Sequence, residues 1–141
     1  MGMKVRSYVD AESFLRSTQA ELESNEAANS LMLGVCLRLV RYPERVKTPP
    51  CLKTVEDEKG LVLASMMTPP HKLVVYGRQG DLDEGARVLA EDLVSEGWKV
   101  PGMLGPGEVV RRVVERWEVA SGRWSTGNVT AGTLYLRTVQ V

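Results

Sequence analysis

Polar and apolar residues alternate from Lys4 to Val9 with the period of a short strand, and Asp10 then offers a side-chain oxygen to cap a helix. Phe14, Leu15, Thr18 and Leu22 fall on one face of that helix. A second helix is predicted from an Asn25 cap, because Ala28, Leu31, Met32, Val35 and Leu39 recur at helical spacing until Pro43 and the Pro49-Pro50 pair stop it. Between Leu31 and Val40 it is apolar nearly all round, so it is expected to be well buried. Two β-favouring runs, Leu52 to Glu56 and Leu61 to Met67, flank Glu58-Lys59-Gly60 and predict an antiparallel hairpin, with glycine available for a positive φ.

Lys72 to Tyr76 reads as a further strand, and Asp81 begins a helix whose Leu82, Ala86, Leu89 and Leu93 form one stripe, ended by Gly97. Trp98 to Met103 predicts a short strand, and Gly105-Pro106-Gly107 the start of a last helix. Its buried face is Val109, Val110, Val113, Val114 and Trp117, and Ser121-Gly122 closes it. The tail is turn-rich, then alternates through Leu134, Leu136 and Thr138 as a final strand paired back onto the sheet would.

Composition narrows the function classes. A length of 141 residues favours one domain over 1–141, and 18 basic against 18 acidic side chains leave no net field to attract nucleic acid or an anionic membrane. With 43% hydrophobic and 26% charged residues the chain is expected to fold as a soluble globule. No apolar run approaches the roughly 20 residues that span a bilayer, and MGMKVRSY has no hydrophobic signal core, so a cytoplasmic location is expected. Gly2 lacks the Ser or Thr that a myristoylation signal places where Arg6 stands, and Met3 reads as the natural start behind a short cloning remnant. Cys36 and Cys51 have neither CxxC spacing nor neighbours for a staple framework and are read as reduced thiols.

The element order β, α, α, β, β, β, α, β, α, β resembles the GNAT family of N-acetyltransferases over nearly the whole chain. Local phrases add to this: Asn29-Ser30-Leu31-Met32-Leu33-Gly34, Met67-Thr68-Pro69-Pro70-His71-Lys72-Leu73 and Pro101-Gly102-Met103-Leu104-Gly105-Pro106. Together they look like the N-terminal half of bacterial GNAT proteins that carry two such domains in tandem. The resemblance implies a mixed, mostly antiparallel sheet flanked by helices. It also implies a missing C-terminal GNAT domain bearing the acetyl-coenzyme A signature after a strand resembling Leu134 to Val141, so that the chain would be a truncated part of a longer protein.

The junction from Tyr76 to Ala86 is a strand, a glycine-bearing turn and a helix, the arrangement that often holds a phosphate. The family's coenzyme loop, Arg/Gln-x-x-Gly-x-Gly/Ala, does not fit any frame of it: from Arg78 the glycine position is Asp81, and from Gln79 it is Leu82. Asp81, Asp83 and Glu84 crowd the helix start and are expected to compete for its N–H groups. Acetyl-coenzyme A is therefore the family's cofactor but is not expected to bind this domain alone. The opposing reading keeps Arg78 and Gly80 as a degenerate cofactor loop.

Other candidate chemistry is sparse. One histidine, His71, excludes a multi-histidine metal site, and no carboxylate cluster has metal-box spacing. Tyr76, His71 and Glu56 are candidate general acids or bases, each with a plainer reading as sheet aromatic, surface residue and solvated carboxylate. Under the resemblance, Pro69-Pro70 and Pro101-Gly102 would flank a cleft between fourth and fifth strands, making Thr68, His71, Gly102 and Gly105 candidates for lining that cleft or a domain contact, or else simple strand ends. Asn128-Val129-Thr130 matches a glycosylation sequon without a secretion signal; Trp117 reads as core and Trp124 as a turn residue able to pack on a neighbour. The functional expectation is the scaffolding or acceptor-side domain of an N-acetyltransferase. Its alternatives are a non-catalytic module that dimerises or docks, a possible homo-oligomer, and a small complete acetyltransferase using the degenerate loop.

Overall fold

The hairpin at the middle of the sequence is also the middle of the sheet. The computed structural model describes residues 2–78, 81–124, 133–135 and 139–140. β1 (Lys4–Ser7) pairs antiparallel with β2 (Cys51–Asp57), which pairs antiparallel with β3 (Gly60–Met67), Lys4 opposite Glu56 and Cys51 opposite Met67. At the turn, Asp57 Oδ1 accepts from the Lys59 amide at 2.8 Å, and Gly60 takes φ 120°, a value that side-chain-bearing residues avoid. β4 (Leu73–Gly77) adds antiparallel to β3.

Beyond β4 the direction changes. β5 (Gly102–Leu104) runs parallel to β4, with Leu73 opposite Met103 and Val74 opposite Leu104, and β7 (Thr133–Tyr135) returns antiparallel beside β5. The sheet order is β1-β2-β3-β4-β5-β7, and β6 (Arg123–Trp124) pairs separately with β8 (Val139–Gln140). Among the described residues the protein is thus an α/β fold on a mostly antiparallel sheet.

Strand alternation sends neighbouring residues into two different cores. Cys51, Val55, Leu63, Leu73, Val75 and Met103 meet α3 (Leu82–Ser95) and α4 (Gly107–Ser121), which contribute Leu89, Leu93, Val110, Val113 and Trp117. Leu52, Ala64 and Met66 meet α1 (Ala11–Glu23) and α2 (Glu26–Arg41) through Phe14, Leu22, Met32 and Cys36. Each buried Val, Leu, Met or Phe among these contributes about 1.5–3 kcal/mol of transfer free energy, which outweighs the few tenths that separate the intrinsic preferences of most residues.

Caps and breakers set the helix limits. Asp10 Oδ1 accepts the Ser13 amide at 2.8 Å and starts α1, whereas Asn25 makes no side-chain bond at the start of α2. Gly122, at φ 69°, accommodates the left-handed turn that ends α4.

Three expectations change. The apolar stretch of α2 is not enclosed: Leu31, Leu37 and Val40 are 44%, 50% and 40% exposed, because α1 and the sheet cover only one side of that helix. β1 ends at Ser7, two residues before the predicted Val9. The strand expected from Trp98 is confined to Gly102–Leu104, since Pro101 has no amide for a ladder. Expectations for Gly80, Leu136, Thr138 and the sequon at Asn128 to Thr130 lie outside the described residues. No helix among the described residues is long and apolar enough to cross a membrane.

Candidate functional site

Two open cavities adjoin β4, one at each end. The first lies where β4 and β5 stop pairing: ladder contact ends at Val74 and Leu104, while β4 continues to Gly77. Tyr76, Gly77, Arg78, Leu82, Pro106 and Glu108 line a space of about 560 Å³ there, with Glu21 from the last turn of α1 and Asn25 from the start of α2. This is where a ligand would approach the start of α3.

The arginines at that start are already engaged. Arg78 donates to Asp57 Oδ2 at 2.5 Å and stands 3.7 Å from Asp81 Oδ2. Asp83 receives the Arg116 guanidinium of α4 through both carboxylate oxygens, and Glu84 pairs with Arg87 at 2.6 Å. Arg78, helped by the Lys59 and Gly60 amides, holds Asp57 below the ordinary aspartate value, and Arg116 does the same for Asp83 and Arg87 for Glu84. One expectation needs correcting in detail: Asp81 occupies the cap position without a side-chain capping bond, so these carboxylates are held by arginines and not by the helix amides.

The second cavity, of about 590 Å³, opens at the other end of β4. Its walls are Leu31, Val35 and Leu39 of α2 with Met66 of β3 and Val74 of β4, and its rim carries Arg38, Arg45, Lys47, Thr68, His71 and Lys72. Thr68 and His71 come together through a tight turn about Pro69-Pro70, in which the His71 amide donates to the Thr68 carbonyl at 2.8 Å.

Gly102 and Gly105 are not part of that lining. Gly102 is buried within β5 opposite Tyr135, and Gly105 lies so close to β4 that an added Cβ would stand 2.2 Å from the Val75 carbonyl oxygen. Both proline phrases stand at the starts of β4 and β5, where the strands are bonded, and not at the ends where they part.

Compared with known proteins, the chain matches no family model, no curated protein and no solved structure.

The candidate acids and bases do not converge. Tyr76 is half-buried at the first cavity, His71 is exposed at the second, and Glu56 lies on β2 in a 3.4 Å ion pair with Arg6. Among the described residues no group of His, Cys, Asp and Glu is placed to hold a metal ion.

Two features escape a reading of the sequence. Lys53, buried in β2, donates to Ser7 Oγ at 2.7 Å and Glu96 Oε1 at 2.8 Å and stands 2.6 Å from Asp92 Oδ2. Burial alone would lower its pKa; Asp92 and Glu96 outweigh that and raise it. The signal was Asp92 and Glu96 at helical spacing on α3, legible only once β2 is known to pass beneath them. The other is the cationic rim, whose signal was Arg38, Arg45 and Lys47 close together in the segment that follows the apolar part of α2.

Proposed function

We propose that this chain is a GNAT-like domain acting as the scaffold or acceptor-side half of an N-acetyltransferase, with acetyl-coenzyme A carried by a second domain. The order of elements and the parallel β4–β5 pair that separates beyond Val74 support the family reading. The observation that carries the division of labour is the start of α3, where the arginines are already taken. Arg78, Arg87 and Arg116 are each engaged by carboxylates of the chain itself.

The residues at this junction do not fit a coenzyme diphosphate. A diphosphate there would displace Asp57 from Arg78 and stand beside Asp81 and Asp83, where like charges in a partly dry site cost on the order of kilocalories per mole. No catalytic step is therefore routed through a coenzyme on this domain. Its contribution is to shape the acceptor side, where Tyr76 lines one cavity with Glu21 and Asn25, and orientation with proton removal would drive transfer to an amine.

Calorimetric titration with acetyl-coenzyme A tests this. The expected result is no saturable heat; saturable binding that is lost in Arg78→Ala would replace the proposal with a complete small acetyltransferase using Arg78.

A non-catalytic docking module is the second reading, favoured by the exposed Leu31, Leu37, Val40 and Tyr42 on and just beyond α2. The β1 edge is less suited, because Lys4 and Arg6 are exposed along it. Concentration-dependent sedimentation abolished by Leu37→Glu, together with silence toward acetyl-coenzyme A, would select this reading.

A further inference from the structure

We infer that the cavity between α2 and the start of β4 is a binding site for a small amphipathic carboxylate, an apolar chain or ring ending in a carboxylate head. Three observations carry this. Its volume of about 590 Å³ lies within the range of small-molecule sites, roughly 300–1,000 Å³. Its floor is hydrocarbon: Val35, Leu39 and Val74 belong to the α1–α2 core yet stay only partly covered, over the fully buried Met66. Its charge is of one sign, since Arg38, Arg45, Lys47 and Lys72 line it with His71 and no acidic side chain among the described residues does, although the chain as a whole is neutral.

Arg38, Arg45 and Lys47 make no ion pair with the described residues, in contrast to Arg78, Arg87, Arg111, Arg112 and Arg116, which all have carboxylate partners. Arg45 instead lies over Tyr42, its guanidinium carbon 4.4 Å from the ring centroid, a contact with the ring face that leaves its N–H donors unclaimed by any described carboxylate. A guanidinium and a carboxylate match as two parallel hydrogen bonds, and an apolar tail would cover Leu39 and Val74. An amine of the same length meets the same hydrocarbon with the wrong charge.

The test is a titration of the intact chain with octanoate, octylamine, octyl phosphate and inorganic phosphate, followed by methyl NMR. Octanoate is expected to shift Leu31, Leu39, Met66 and Val74 saturably, and Arg38→Gln with Arg45→Gln to weaken it about tenfold while octylamine stays weak. Both arginines are exposed, and an unchanged melting curve shows that the double variant is folded. Octylamine binding as tightly as octanoate, inorganic phosphate doing so alone, octyl phosphate binding tenfold tighter, or shifts confined to other residues would each overturn the inference.

Discussion

Lys53 Nζ stands 2.6 Å from Asp92 Oδ2, so a strand in the sheet and the closing turns of α3 are joined by a charge that is 2% exposed on one side and 27% on the other. The asymmetry predicts how the link responds to mutation. Lys53→Ala removes both the buried stem and the ammonium and is expected to destabilise by about 3 kcal/mol. Lys53→Met keeps the stem and lets the more exposed Glu96 rehydrate, but it leaves the buried Asp92 Oδ2 without its partner, so its cost is expected at about 2 kcal/mol. Urea unfolding of both variants measures the difference; equal losses would place the energy in the charge alone.

Stability is expected to fall on the acid side. Asp57, Asp83, Glu84 and Glu96 all have folded-state values below their ordinary ones, 3.8 for aspartate and 4.5 for glutamate. Their contribution is complete above those ordinary values and disappears as pH falls through the lowered ones. The urea midpoint should hold level from about pH 7 to about pH 5 and decline below. Lys53 acts in the opposite sense: its contribution is present below its ordinary 10.5 and is lost as pH rises through its raised value, a limb that Lys53→Met should abolish.

Two glycines should respond in opposite directions to alanine. Gly105→Ala drives a methyl toward the Val75 carbonyl oxygen, backbone that cannot turn aside, and a loss of about 2–4 kcal/mol is expected. Gly34, within α2, has nothing within 4 Å of an added Cβ, and Gly34→Ala should gain roughly 0.5–1 kcal/mol from helix propensity. Thermal melts of the two variants check the signs.

Freeing Arg78 tests the electrostatic basis of the proposed division of labour. Asp57→Asn combined with Asp81→Asn removes both of its carboxylate partners while asparagine still suits the hairpin turn. Pyrophosphate binding, not expected of the parent, is expected to become measurable by calorimetry in the double variant; an unchanged blank titration would show that charge is not what closes this junction.

Both thiols should be slow. Burial pushes Cys36 and Cys51 up to about 12, so the thiolate is scarce at pH 8 and alkylation by iodoacetamide is expected only after unfolding. Mass spectrometry of native and denatured samples separates the two cases.

Much of the fold was legible because local rules and burial agreed. Asp10 as a cap, Gly60 in the hairpin and the Val109-to-Trp117 stripe each state their role within a few neighbouring residues. The reading of α2 failed for the complementary reason: Leu31, Leu37 and Val40 look like core in one dimension, and only the placement of α1 and the sheet reveals that their side is uncovered. Site geometry was less accessible still. Arg78 meets Asp57 across the hairpin, Asp83 meets Arg116 from another helix, and Lys53 meets Glu96 from beyond β4, pairings that depend on long-range packing. At the junction after β4 the expected competition of Asp81, Asp83 and Glu84 for helix amides gives way to arginine partners, since composition gives the charges and topology chooses what they meet.

β4 and β5 touch through just Leu73–Met103 and Val74–Leu104, a seam narrower than any other within the main sheet. Anchorage of the last strands consequently falls to α4, whose valines and Trp117 press on the same hydrocarbon as Leu73 and Met103. That helix is a buttress: loosening it would unfasten β5 and β7 first, since two ladder pairs are all that otherwise join them to β4.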